Sequence, residues 1–254
     1  VSKRSYNANE DDTLLKEGDY VIGLYELNTL DTIILFTDLG NYLYLPIYEI
    51  PDTKWKDLGK HISNIISIKA DENIISSIPV RDFEEDIYVT IFTTLGMIKR
   101  TKISDFKVTR YSKPLTAIRL KANDKVVNAV ITKDQNVLIS THKGYALWYD
   151  INEVLVVGTK GSGVKAINLK DDYVVSGTVF NEDMEYISII TDKGTGKRLR
   201  LKDIERTSRA RKGISIIKEI KSNPYRILKT FVTNNKQMLG IISEACIKYN
   251  YTSK

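Results

Sequence analysis

Twenty residues hold most of this chain's excess charge. Between Lys193 and Lys212 stand nine cations (Lys193, Lys197, Arg198, Arg200, Lys202, Arg206, Arg209, Arg211 and Lys212) against two carboxylates, Asp203 and Glu205, a formal +7. The whole 254-residue chain is +6, so the remainder is close to neutral and the excess is local. Cations at this density suit contact with the phosphates of a polyanion, bound with release of counterions. Binding to single strands normally adds interleaved aromatics on which bases stack. Residues 193–212 contain no aromatic, so the segment favours a duplex.

Other chemistries find little support. His61 and His142 are the only histidines, and neither has cysteines or carboxylates at ligand spacing, so a zinc site is not expected. Gly158-Thr159-Lys160-Gly161-Ser162-Gly163 lacks the phosphate-loop spacing and no helix pattern follows it, so it reads as a basic turn. There is no Gly-x-Ser-x-Gly elbow and no nucleophile–base constellation. Neither catalytic residues nor a cofactor are expected. The single cysteine, Cys246, excludes an internal disulfide framework and fits a reducing cytosol.

Repeated elements position the cations. Thr37-Asp38-Leu39-Gly40 returns as Thr93-Thr94-Leu95-Gly96, Thr141-His142-Lys143-Gly144 and Thr191-Asp192-Lys193-Gly194, with the glycines 56, 48 and 50 residues apart. Each tetrad lies between short apolar or basic runs, the pattern of a hairpin whose glycine takes the positive φ of the turn. An Ile-x-Leu-like run follows at Ile66, Ile118, Ile167 and Ile217. Next comes a polar turn (Asp71-Glu72, Asn123-Asp124, Asp171-Asp172, Asn223-Pro224), then a β-branched or aliphatic pair (Ile74-Ile75, Val126-Val127, Val174-Val175, Ile227-Leu228). A period near 50 residues with three landmarks in register predicts an all-β array of propeller-like blades. Lesser basic clusters occupy the matching interval in other repeats: Lys54, Lys56 and Lys60; Lys99, Arg100, Lys102, Arg110 and Lys113; Lys160 and Lys165. Equivalent positions share one radius, so these clusters should form one band on the outer rim. Strand alternation should turn Arg198 and Arg200 outward and Leu199 and Leu201 inward.

The blades are expected at about 31–80, 87–131, 136–180 and 186–232. Residues 14–22 read as a second half without a first, and 240–249 as a first half without a second. Complementary halves predict one closing blade from 1–30 plus 233–254, which would remove open edges. That makes five four-stranded blades, or six if chain upstream of Val1 supplies a half-blade. No run approaches a membrane span. The chain has no initiating Met and reads as a fragment of something larger. The best helix candidate is one turn at Thr53–Leu58.

A set of ordered stretches resembles the C-terminal domain of the A subunit of bacterial type IIA topoisomerases, in particular topoisomerase IV of low-GC Gram-positive bacteria. They are Ser5-Tyr6-Asn7-Ala8, Leu15-Lys16-Glu17-Gly18-Asp19, Trp55-Lys56-Asp57-Leu58-Gly59-Lys60-His61, Gly96-Met97-Ile98-Lys99-Arg100, Lys113-Pro114-Leu115, Gly163-Val164-Lys165-Ala166-Ile167-Asn168-Leu169 and Arg211-Lys212-Gly213-Ile214. The resemblance implies a β-pinwheel whose blades exchange strands and whose rim binds and bends double-stranded DNA. It places DNA contacts in the basic stretches above. It also implies an N-terminal breakage-reunion region bearing the catalytic tyrosine outside this chain, a partner in the ATPase B subunit, and a bacterial cytoplasmic setting. The Gln-Arg-Arg-Gly-Gly-Lys-Gly motif of gyrase has no match here, which favours topoisomerase IV over gyrase-like wrapping. A propeller-like protein-interaction module is the other reading of the basic rim.

Overall fold

In the computed structural model, residues 1–4, 21–54, 57–218, 220–237, 239–243 and 246–250 are described. The regular structure among them is β-strand and short 3-10 turns, so the chain is all-β, as the repeat predicts. The 3-10 turns include Ile47–Glu49, Ile62–Asn64 and Ile103–Phe106. The helical turn expected at Thr53–Leu58 falls partly on Trp55 and Lys56, which lie outside the described residues.

Each Thr-x-x-Gly joins a hairpin: β1 (Thr32–Thr37) to β2 (Asn41–Pro46), β4 (Tyr88–Thr93) to β5 (Met97–Lys102), β8 (Asn136–Thr141) to β9 (Tyr145–Asp150), and β12 (Tyr186–Thr191) to β13 (Gly196–Arg200). The threonine is needed for its hydroxyl. Thr37, Thr93, Thr141 and Thr191 accept through Oγ1 from the backbone N–H four residues on, at 3.1–3.3 Å. The glycines of the turns all have positive φ, from 68° to 99°. The β-branched or aliphatic pairs open the return strands β3 (Ile74–Val80), β7 (Val126–Thr132), β11 (Val174–Phe180) and β15 (Ile227–Thr233), which pair with β1, β4, β8 and β12.

The fourth strand of a blade is borrowed. Between hairpin and return strand the chain makes a crossover, and part of it adds to the previous blade. β6 (Leu115–Thr116) joins β2, β10 (Val164–Lys165) joins β5, and β14 (Ile214–Ser215) joins β9. Three sheets are therefore four-stranded, and that of β12, β13 and β15 has three strands. A last hairpin, β16 (Leu239–Ser243) with β17 (Cys246–Asn250), is paired to itself. The closing blade expected from 1–30 plus 233–254 falls partly on residues 5–20 and 251–254, outside the described residues.

Polar contacts lock one blade to the next. Val126 N–H donates to Asp38 O, Val174 N–H to Thr94 O and Ile227 N–H to His142 O, each at 2.9 Å. The polar turns hold the hairpins by hydrogen bonds. Glu72 accepts from Thr37 Oγ1 and Asn41 Nδ2, Asp124 from Thr94 Oγ1 and Leu95 N–H, and Asp172 from Lys143 N–H. His142 is a turn residue too, stacked on Tyr173 with ring centroids 4.6 Å apart. The apolar clusters lie between sheets: Phe36, Tyr42 and Phe106 fill the first interface, and Phe92, Ile98 and Tyr149 the second.

Two of the borrowed strands, β10 and β14, follow directly on a glycine pressed against the strand they join, Gly163 at Ile98 O and Gly213 at Ala146 O, whereas β6 follows Pro114. Gly213 has φ 83°, and a Cβ there would sit 2.2 Å from Ala146 O. Gly194 has a similar φ of 68° with nothing within 4 Å of its Cβ position. Gly194→Ala should therefore cost only the left-handed backbone penalty, roughly 1–2 kcal/mol. Gly213→Ala should cost clearly more, because β14 must also retreat from β9. Denaturant melts of the two variants check the order, and equal losses would refute the close-approach argument.

Candidate nucleic-acid interface

The crossovers run over the outer edges of the sheets, and each lies against the crossover of the next repeat. Arg119 N–H donates to Gly161 O, and Asn168 N–H to Arg211 O, at 3.0 and 2.9 Å. Most of the sixteen candidate cations sit on this surface. Lys54 and Lys60 are exposed on the first crossover, while Lys56 lies outside the described residues. Lys102, at the end of β5, and Arg110 and Lys113, on the second crossover, are exposed. So are Lys160 and Lys165 on the third, where Lys165 Nζ donates to Asn168 Oδ1 at 2.7 Å. On the fourth, Arg211 and Lys212 are exposed, with the Lys212 ammonium 4.2 Å from the centre of the Tyr145 ring. On β13, Lys197 and Arg200 are exposed. Arg198 is half-buried, its guanidinium 4.1 Å above the Tyr186 ring. Leu201, in the 3-10 turn that follows β13, is buried, so the expected alternation holds at Arg200 and Leu201; Arg198, expected to face outward, lies against Tyr186 and is half-buried like Leu199, and Lys197 on the leucine face is exposed.

Three candidates are structural instead. Lys99 has no accessible surface, and its Nζ donates to Ala117 O and Thr159 O, both at 2.5 Å. Burial lowers its pKa to about 8, with Asp105 pulling weakly the other way. The reason is its position. Counted from Thr-x-x-Gly, Lys99 matches Leu43 and Leu147, which are core residues. It spans its own crossover, at Ala117, and the next, at Thr159. Arg100 is 6% exposed; it lies over Tyr88 at 4.0 Å and donates through Nη1 to Asn152 Oδ1 at 3.0 Å. The expectation that this pair faces a ligand is corrected: the blade 3 crossover covers both. Arg209 is half-buried and donates to Glu153 O and Lys165 O, so it fastens the fourth crossover to the third.

Ion pairs reduce the free charge further. Arg206 pairs with Asp150 at 2.5 Å, and Lys107 with Glu84 at 3.2 Å. Lys125 pairs with Asp38 at 2.8 Å. Burial pushes the Asp38 carboxyl up, but hydrogen bonds from Lys125 and the Asn73 backbone outweigh it and hold it below its usual range. Sequence reasoning missed one recurrent set. Lys69, Lys121 and Lys170 each follow directly on an Ile-x-Leu landmark, and Lys221 follows its longer fourth copy; all four are exposed. The landmark itself was the signal that would have found them.

Among the described residues no group of three or more His, Cys, Asp or Glu side chains is placed to hold a metal. No helix there is long and apolar enough to cross a membrane. The surface offers separated cations on successive crossovers, an arrangement suited to spaced phosphates rather than to bond chemistry.

A family model described as the DNA gyrase C-terminal domain, beta-propeller, matches residues 31–81, 88–133, 135–181 and 185–234. The A subunit of DNA topoisomerase 4 from Bacillus subtilis (strain 168) is 41% identical over 242 residues, covering 94% of this chain and 30% of that protein. Its counterpart in Staphylococcus epidermidis is 39% identical over 245 residues, covering 95% and 30%. The chain thus spans under a third of these curated relatives. A crystal structure of the C-terminal domain of DNA topoisomerase IV superposes with TM-score 0.92 at 42% identity, covering 96% of this chain and 77% of that one. A DNA gyrase A C-terminal domain, at 23% identity, shares the fold with TM-score 0.70 over 94% of this chain and 79% of its own.

Proposed function

This chain belongs to the family of DNA gyrase C-terminal, β-propeller domains, and from that premise we propose that it is a non-catalytic module that holds and bends duplex DNA along its crossover rim. The observation that carries the reading is the recurrence of exposed cations on successive crossovers: Lys54 and Lys60, Arg110 and Lys113, Lys160 and Lys165, Arg211 and Lys212. Lys102 and Arg200 extend the set on the hairpin strands, and Lys69, Lys121, Lys170 and Lys221 follow the landmarks. Such contacts fix the path of a duplex without reading its sequence. A path over several blades must curve. Bending 20–30 bp by 40–90° costs on the order of 1–6 kcal/mol, which only several phosphate contacts together can offset.

The likeness to the A subunits of topoisomerase 4 supports a place in a type IIA topoisomerase. There the module directs substrate choice in decatenation and supercoil relaxation. Its partners are then the breakage-reunion region of its own polypeptide, which supplies the catalytic tyrosine, and the ATPase B subunit. The setting is the bacterial cytoplasm.

An electrophoretic shift series with linear duplexes of unrelated sequence tests the binding. Six to ten phosphate contacts predict a loss of about 10³–10⁵ in affinity between 50 and 200 mM salt, equal for every sequence. A flat salt dependence, or a shift with acidic protein as strong as with DNA, rejects the proposal.

A further inference from the structure

Aromatics are absent from residues 193–212, but the second crossover sets one among its cations: Tyr111 stands between the exposed Arg110 and Lys113. The Tyr111 ring is half-buried. It lies 5.2 Å from the buried ring of Tyr44, which stacks in turn on Phe83 at 5.6 Å. Its hydroxyl donates to Glu49 Oε1 at 2.9 Å and, its proton so used, accepts from the Tyr48 hydroxyl at 3.0 Å. These bonds, that with Tyr48 first, hold the Tyr111 phenol well above its usual range. It therefore remains a donor at neutral pH. The two tyrosines join the second crossover to the 3-10 turn Ile47–Glu49 that follows β2.

Holding the blades together explains Tyr111 but not Tyr48. Counted from the first residue of each 3-10 turn, Glu49 matches Glu153 and Tyr111 matches Arg209. Glu153 accepts from the Arg209 N–H at 2.7 Å, so the tie between this acidic turn position and the next crossover recurs without a tyrosine. At the position of Tyr48 the other turns carry Ser104, Asn152 and Lys202. Those are polar residues suited to water, whereas Tyr48 leaves its ring 58% exposed. The ring is not packed away; it is tethered by its hydroxyl. Such a tether removes side-chain freedom before any ligand arrives. A fixed, exposed aromatic ring near cations is what stacking of a nucleobase requires.

We propose that the exposed ring of Tyr48 is a stacking platform for a single unpaired base of a duplex held on the crossover rim. The inference rests on the duplex-binding reading and adds a base contact to it. A run of single-stranded bases would need successive rings, and this group exposes one. Lys54 and Lys60 on the first crossover, with Arg110 and Lys113 on the second, are exposed and suit the phosphates of the flanking duplex. A bent duplex is where such a base arises, since bending at a flexible step partly unstacks it. Every base has a π-face, so stacking tolerates any of them. The platform therefore reads the unpaired state and not the sequence.

Three duplexes of about 30 bp are the probes: one intact, one with a single bulged adenine, and one with a bulged abasic site in its place. The abasic bulge is flexible but offers no base, so it controls for ease of bending. The 254-residue protein should bind the bulged adenine about tenfold more tightly than the abasic bulge, the effect of one base–aromatic stack. Tyr48→Ser, which installs the residue type of the second repeat, should erase that preference with the melting temperature kept. It should leave affinity and salt slope on the intact duplex unchanged. Tyr48→Phe keeps the ring and should retain most of the preference. Equal binding of the two bulges by the wild type overturns the proposal. So does a preference that survives Tyr48→Ser, or a loss in that variant that is equal on all three duplexes, which would make Tyr48 an ordinary rim contact. Failure to bind any of the three rejects the duplex reading itself, and the platform with it.

Discussion

Changing Arg110, Lys113, Lys160 and Lys212 together to alanine should lower the slope of log affinity against log salt by about four, one for each phosphate contact removed. The four residues lie on three consecutive crossovers, all exposed, so they sample the proposed path rather than one cluster. Affinity should fall equally on unrelated duplexes, because phosphate contacts hold no base information. Stability should barely change. Exposed charges contribute little to a fold, and the contact of Lys212 with the face of Tyr145 lies at the surface. A shift assay across a salt series, read beside a thermal melt, makes the check. If the slope stays constant, the duplex runs elsewhere on the molecule.

Lys99→Ala should cause a large loss of stability, of order 3 kcal/mol or more, while Lys197→Ala at the matching place in β13 should cost under 1 kcal/mol. Truncating Lys99 leaves a cavity and orphans two carbonyls, and each buried unsatisfied polar group costs about 1–3 kcal/mol. Lys197 is exposed and gives up one long bond, to Ile216 O. The ammonium of Lys99 also ties stability to pH. Its folded pKa of about 8 lies below the ordinary 10.5. Between these values the unfolded chain binds more protons than the folded one, so this group's contribution rises with pH across that window. Tyr42 works in the opposite sense higher up, since burial raises its pKa to about 12. The wild type should therefore gain stability relative to Lys99→Leu between about pH 8 and 9.5. Denaturant midpoints for both proteins across that range test the sign, and a constant difference would mean that Lys99 does not titrate there.

These two lysines also mark how far the sequence could be read. The repeat was legible because its landmarks are local: a threonine that caps its own turn, a glycine with positive φ, a polar turn that holds the hairpin. The outward alternation of Arg200 against Leu201 was legible for the same reason, since period two needs no knowledge of neighbours. Burial of Lys99 and Arg100 was not read from their own strand, because it comes from residues 156–165, over fifty positions later. Comparison of the repeats held the clue, since Leu43 and Leu147 occupy the Lys99 position. Arg209 escaped similarly: its partners are backbone carbonyls of Glu153 and Lys165, which no side-chain pattern announces.

The borrowed strands also set the order of events during synthesis. The edge of β2 stays open until Leu115 and Thr116 arrive, that of β5 until Val164 and Lys165, and that of β9 until Ile214 and Ser215. Each wait is about 70 residues. At roughly 5–20 residues per second, each of these three blades spends on the order of 4–14 s with one open strand edge. Buried cations such as Lys99 are still exposed during that interval. A charged strand is a poor template for aggregation, so the lysine that ends as an internal tie begins as a guard on its own edge.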